Sequence, residues 1–254
     1  MKILKTKEKS RGELSGTPVS RAKRKIIYPD SDGKPMADNT KQFDWIVKIK
    51  ENLEEMFQDN PDVFVAGDLF WYPVEGNNRI RTAPDVMVAI GRPKGDRGSY
   101  MMWKEGNISP QAVFEILSPG NRRGEMDKKF DFYEKYGVQE YYIYDPDRIS
   151  LKGWIRKGTV LSPVDNMQGW RSPLLKIRFE LTENDLHIFT PEGKRFLAPL
   201  ESKRQFRAEI QAAEQKAEDA LNRENAERQR AEDERREKER LAAKLRQLGI
   251  DPDE

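Results

Sequence analysis

The chain has 254 residues, enough for one sizeable domain and an appendage. Charged residues make up 35% of it, but 46 Lys and Arg against 44 Asp and Glu leave a net charge of only +2, so any positive groove must be local. With no cysteine and one histidine, disulfides, thiolate zinc sites and poly-histidine centres are excluded, and hydrolytic chemistry falls to carboxylates, lysines and a hard cation on oxygen ligands.

The first 25 residues are polar and basic and contain no apolar signal-type stretch. They predict a disordered basic tail. No run approaches the roughly 18 apolar residues of a membrane span, and a soluble, cytoplasmic protein is expected. From Thr40 to Phe57, apolar Phe43, Ile46, Val47, Leu53, Met56 and Phe57 recur at helical spacing, with Asp38 or Asn39 as N-cap. Residues 62 to 195 then alternate short β-rich runs with turns. Val63 to Ala66, Leu69 to Tyr72, Val86 to Ile90, Ala112 to Leu117 and Glu140 to Tyr144 are each bounded by Pro, Gly, Asp or Asn. A helix from Gly124 to Tyr136 interrupts them, its stripe being Met126, Phe130 and Tyr133, with Gly137 at the C′ position. Further strands are expected at Leu151 to Ile155 and Leu175 to Phe179, with a hairpin into Leu186 to Phe189, where His187 reads as one polar strand position. This order predicts an α/β domain with a central mixed sheet flanked by helices.

From about residue 200 to 248 almost every residue is Glu, Lys, Arg, Gln, Ala or Leu, with no Gly or Pro. One heptad register runs from Phe206 and Ile210 to Leu241, Leu245 and Leu248, but its middle is polar and charged. Pairs such as Glu232 with Arg236 and Glu234 with Lys238 support a helix without a partner, so a solvated helix and a weak coiled coil are both open.

Two residue groups carry the chemical interest. Asp85 opens the strand Val86 to Ile90, and Glu115 sits inside the apolar run Ala112 to Leu117, on the face of Val113 and Leu117. A carboxylate buried in such a strand is costly unless paired or metal-bound. Taken alone, the strand reads as an edge strand with Glu115 facing water. Taken together, two carboxylates on neighbouring strands can hold one Mg²⁺, with the backbone carbonyl of Ile116 adding a neutral oxygen. The helix that follows brings Lys128 and Lys129, either of which can reach back over the carboxylates or belong to a solvated face.

The stretch from Arg81 to Asp147 resembles the Uma-type family of restriction-endonuclease-like proteins, a branch of the PD-(D/E)xK nuclease superfamily. The resemblance rests on Thr82-Ala83-Pro84-Asp85-Val86, Phe114-Glu115-Ile116-Leu117-Ser118-Pro119 and Lys129 four residues before Tyr133. It continues through Tyr136-Gly137-Val138, Glu140-Tyr141-Tyr142 and Asp145-Pro146-Asp147, with Gly91 to Lys94 and Arg97 to Tyr100 between. It implies a restriction-endonuclease-like fold and Mg²⁺- or Mn²⁺-dependent endonuclease activity on phosphodiester bonds, DNA being the expected substrate. Asp85 and Glu115 match the metal-binding carboxylates. The superfamily pattern would place its lysine at position 117, where this chain has leucine, and Lys129 fits the family's shifted lysine, with Lys128 as fallback. Superfamily members often add a first-helix glutamate, for which Glu51, Glu54 and Glu55 are open.

Arg81, Arg97, Arg122, Arg123 and Lys128 are the expected phosphate contacts, with Arg79 and Lys94 nearby. Trp71, Tyr72, Tyr100 and Trp103 suit packing better than base stacking, and Tyr133, Tyr136, Tyr141 and Tyr142 are assigned to packing between helix and sheet. The expected organisation is a tail over 1–25, a nuclease domain over 26–198 and a charged helix over 199–254, through which two copies could form a homodimer. The rival expectation is a catalytically silent nucleic-acid- or protein-binding module that self-associates through that helix.

Overall fold

The computed structural model describes residues 26–31, 33, 37–120 and 123–247; the expected tail over 1–25 lies outside the described residues. Helix α1 (Thr40–Met56) is started by Asn39, whose side chain accepts from the Gln42 amide N–H at 2.9 Å. Gln42 answers by accepting from the Asp38 N–H at 2.8 Å, a near relative of the capping box. Its buried face is Trp45, Ile46, Ile49 and Leu53. Ile46 and Leu53 belong to the expected stripe, but Phe43 is 44% exposed, because the Trp45 ring docks on Tyr144 at 4.5 Å and turns Phe43 to solvent.

Ten strands follow: β1 (Val63–Gly67), β2 (Trp71–Tyr72), β3 (Val86–Ile90), β4 (Tyr100–Met101), β5 (Ala112–Ile116), β6 (Glu140–Asp145), β7 (Ser150–Lys157), β8 (Val160–Pro163), β9 (Arg178–Leu181) and β10 (Leu186–Phe189). Six of them form one sheet in the order β1-β3-β5-β6-β7-β8. Only β5 and β6 run parallel, and their crossover is helix α2 (Arg123–Lys135). The sheet is therefore mixed and flanked by helices, as expected. Strands β2 and β4 pair in parallel, and β9 and β10 form an antiparallel hairpin. The strand expected at Leu175 to Phe179 starts later, at Arg178. Lys176 adopts a positive φ of 62°, and the turn is closed by Ser172 N–H to Ile177 O, so Leu175 and Ile177 enter the core from a loop. Strands β4 and β8, each only two to four residues long, were not anticipated.

Alternation divides the core in two. Val86, Val88, Ala112, Phe114, Ile116, Tyr142 and Tyr144 face α1 and the β9–β10 hairpin. Met87, Ala89, Val113 and Tyr141 face Tyr133 and Val138, with Trp71 and Tyr100 behind. Helix α2 ends where Val138 N–H reaches back to the Tyr133 carbonyl at 3.1 Å, a geometry that needs the left-handed conformation of Gly137, φ +90°. Arg156 from β7 clamps the same end, donating to the carbonyls of Tyr133, Glu134 and Val138.

Helix α3 (Pro199–Gln247) runs for 49 residues with no residue buried. Glu201 pairs with Arg195 outside it, and ion pairs within it include Arg228–Glu232 and Arg235–Glu239, four apart as expected, and Glu237–Arg240, three apart, with other partners than the anticipated Glu232–Arg236 and Glu234–Lys238. Among the described residues no helix is long and apolar enough to cross a membrane.

Candidate active site

Strand β5 lies between β3 and β6, so Glu115 is not on an edge but 2% exposed in the middle of the sheet. The β3–β5 register pairs Val86 with Phe114; one step further along the antiparallel ladder (85 with 115) Asp85 stands opposite Glu115. Both carboxylates point to the α2 side. Asp85, 8% exposed, accepts from the Ile116 N–H at 2.6 Å. Burial pushes its carboxyl above the usual range, against the pull of Lys129, the Ile116 N–H and the Gln42 amide.

Glu115 is gripped at both oxygens by one face of α2. The Lys129 ammonium lies 2.7 Å from Oε2, and the Tyr133 hydroxyl donates a short hydrogen bond to Oε1. Burial pushes Glu115 up to about 7, with Lys129 opposing and the neighbouring Asp85 adding to the rise. Burial works to lower Lys129, but Glu115 and Asp85 outweigh it and hold the ammonium above its ordinary value. Its Nζ also donates to the Ala83 carbonyl at 3.1 Å, which ties α2 to the segment leading into Asp85.

From the α1 side, Gln42 Nε2 donates to the Ile116 carbonyl at 2.9 Å. The Gln42 side chain thus caps the helix with one end and touches the β5 terminus with the other. Ser118, just beyond, donates to Asp38 at 2.5 Å.

When ionised, two carboxylates face one ammonium here, a surplus of one negative charge in a poorly solvated place. Their oxygens and the Ile116 carbonyl are hard donors of the type Mg²⁺ and Mn²⁺ prefer, with most of the shell left to water. Among the described residues no group of three or more His, Cys, Asp or Glu forms a ready-made cage. The donor chemistry therefore fits a cation held by two carboxylates and a carbonyl, not an all-protein site.

Of the expected residues, Asp85, Glu115, Ile116 and Lys129 come together, while Lys128 is exposed. Arg81 stacks on Phe70 at 4.7 Å and donates to the Asn78 carbonyl. Arg97 stacks on Phe64 at 3.9 Å and pairs with Glu105 at 2.7 Å, so its guanidinium is already engaged. Arg123 opens α2, and Arg122 lies outside the described residues. None of the three first-helix glutamates reaches the site: Glu51 pairs with Lys50, Glu54 with Lys94, and Glu55 lines a cleft of about 480 Å³ between α1 and α3. Gln42 is the α1 side chain that arrives instead. Trp71 and Tyr100 are wholly buried, as expected of packing residues, and His187 is a strand position opposite Glu180. Tyr133 was assigned to packing; the signal that pointed further was its place four residues after Lys129, which puts both on one helical face.

A family model described as "Putative restriction endonuclease" (Uma2) matches residues 28–195, about two thirds of the chain and all of the residues just described. A solved structure of a "putative nuclease" from Anabaena variabilis is similar at 18% sequence identity, covering 56% of this chain and 75% of its own, with a TM-score of 0.42. No curated protein matches.

Proposed function

The chain belongs to the Uma2 family, and from that premise we propose that it is a metal-dependent endonuclease hydrolysing phosphodiester bonds, with DNA as substrate. The observation that carries this reading is the meeting of Asp85, Glu115 and Lys129 in one buried cluster on the α2 side of the sheet.

In this reading Asp85, Glu115 and the Ile116 carbonyl hold Mg²⁺ or Mn²⁺. When bound, the ion supplies polarisation of the phosphodiester and a bound water of lowered pKa. Lys129 orients the attacking water and offsets charge developing on the phosphorane-like transition state. The Ala83 carbonyl and Glu115 fix where the ammonium stands before substrate arrives. Arg81 and exposed Lys128 contact phosphates beside the site, with Arg122 and Arg123 next to them in the chain; Arg97 serves only by giving up Glu105. Helix α3, none of whose residues is buried, joins two copies, which brings two sites to one duplex.

The test is cleavage of a plasmid, linear-duplex and single-strand panel with Mg²⁺ or Mn²⁺, wild type beside Asp85→Ala and Lys129→Ala. Metal-dependent cutting that Asp85→Ala abolishes and Lys129→Ala reduces about 10²–10³-fold is expected. The second reading, a silent binding module, draws on the absence of a three-ligand cage among the described residues. It gains if wild type neither cuts any substrate nor binds a divalent cation by calorimetry.

A further inference from the structure

Both oxygens of Glu115 are held from a single helical face. Lys129 and Tyr133 stand one turn apart on α2, the ammonium on Oε2 and the hydroxyl on Oε1. The terminal torsion of a glutamate is soft, so a carboxylate tied at one oxygen still swings. Tied at both, it cannot.

The ring that carries the hydroxyl is itself fixed. Tyr133 is 0% exposed, lies parallel to Trp71 at 3° and 6.2 Å, and meets Tyr141 edge-on at 5.0 Å. Its carbonyl takes the Val138 N–H and the Arg156 guanidinium, so the backbone beneath it is clamped as well. Packing alone asks only for the ring. The neighbouring Tyr141 demonstrates this, since it is as fully buried and its hydroxyl has no hydrogen-bond partner among the described residues. The two tyrosines both lie within electrostatic reach of Glu115, but only the Tyr133 hydroxyl is hydrogen-bonded to it.

We infer that Tyr133 is a positioning residue of the proposed active site: its hydroxyl fixes the orientation of the Glu115 carboxylate, so that this ligand is preorganised before a hard divalent cation arrives. The inference rests on the metal-dependent reading. Partners that orient a metal-ligating carboxylate commonly govern affinity or activity by about 10–100-fold.

The experiment compares Tyr133→Phe with Tyr141→Phe, each losing one hydroxyl from a buried ring. The readouts are Ca²⁺ affinity by calorimetry, the thermal midpoint, and kcat and KM on duplex DNA. Tyr133→Phe should weaken Ca²⁺ binding about 10-fold and lower kcat by a similar factor at unchanged KM. Tyr141→Phe should leave Ca²⁺ affinity, kcat and KM as in wild type and the thermal midpoint unchanged or higher, because the hydroxyl it removes is buried without a hydrogen bond. Adding Tyr133→Phe to a Glu115→Gln protein should lower the thermal midpoint by less than it does in wild type, because the partner is already altered. The inference is overturned if Tyr133→Phe binds Ca²⁺ and turns over like wild type, or if Tyr141→Phe loses as much. It is equally overturned if Tyr133→Phe alone fails to fold, since the role is then structural. If wild type binds no Ca²⁺, the metal-dependent reading falls by itself, and additive effects on the thermal midpoint would still sink the Tyr133–Glu115 coupling.

Discussion

Two glutamates sit equally deep in neighbouring strands of the same sheet, both 2% exposed, and their surroundings differ in kind. Glu140, at the start of β6 on the α1 face, is capped by neutral donors: the Tyr142 hydroxyl at 3.0 Å, the Ser172 hydroxyl at 2.5 Å and the Leu174 N–H at 2.6 Å. It ties the 172–175 turn to the sheet. Glu115, at the end of β5 on the α2 face, has a cation on one oxygen, a phenol on the other and a second carboxylate across the ladder. A carboxylate enclosed by fixed neutral donors serves as architecture, whereas one balanced between an ammonium and a like charge can exchange partners at modest cost.

The largest expected effect separates the two by chemistry. Glu115→Gln should cut the rate of phosphodiester cleavage by about 10²–10³-fold, the equivalent of several kcal/mol of transition-state stabilisation, while Glu140→Gln leaves kcat within a few-fold in any variant that folds. Steady-state cleavage measures both, and equal losses would dissolve the distinction. The next effect separates them by stability. Glu140→Ala strands two buried hydroxyls and a peptide N–H, which should cost about 2–4 kcal/mol and lower the thermal midpoint by roughly 10 °C. Calorimetric melting checks it.

The pH dependence sharpens the Glu115 side. Its folded pKa of about 7 lies above the ordinary 4.5, so folding takes up a proton between those values. Stability of the metal-free protein is therefore full below about 4.5 and lost as pH rises through 7, a change on the order of 3 kcal/mol. Asp85 is raised by burial and acts in the same direction, while Lys129, held above its ordinary value, stays charged throughout that window. Divalent-cation affinity should climb over the same interval, because the ligand must lose its proton to bind. Denaturation in chelator and calorimetry between pH 5 and 8 read the two halves; a flat profile in both would place the Glu115 pKa near its ordinary value.

The smallest effect concerns the helix outside the sheet. Ending the chain at residue 198 removes 49 helical residues of which none is buried, so the thermal midpoint of the remainder should stay within about 2 °C. Sedimentation of the two forms shows whether self-association goes with the helix.

Much of this was legible along the chain, because periodicity and capping are local. The 3.6-residue and two-residue patterns located α1, α2, β3 and β5 to within a few residues, and the pairing of Asp85 and Glu115 with a lysine on the next helix followed from residue type, spacing and family resemblance. Burial of Glu115 was not legible, since alternation tells which face a side chain takes but not whether a strand covers its edge. That was decided by β6, which returns through α2 to lie beside β5. Family spacing already preferred Lys129 to Lys128, but the choice of Gln42 over three first-helix glutamates, and of Tyr133 as a hydrogen-bonding partner rather than packing alone, waited for the tertiary structure. Each depends on how far a helix is rotated about its axis against the sheet. Contacts such as Gln42 to Ile116 link positions 74 residues apart, and their geometry is set by core packing rather than by any neighbour in the chain.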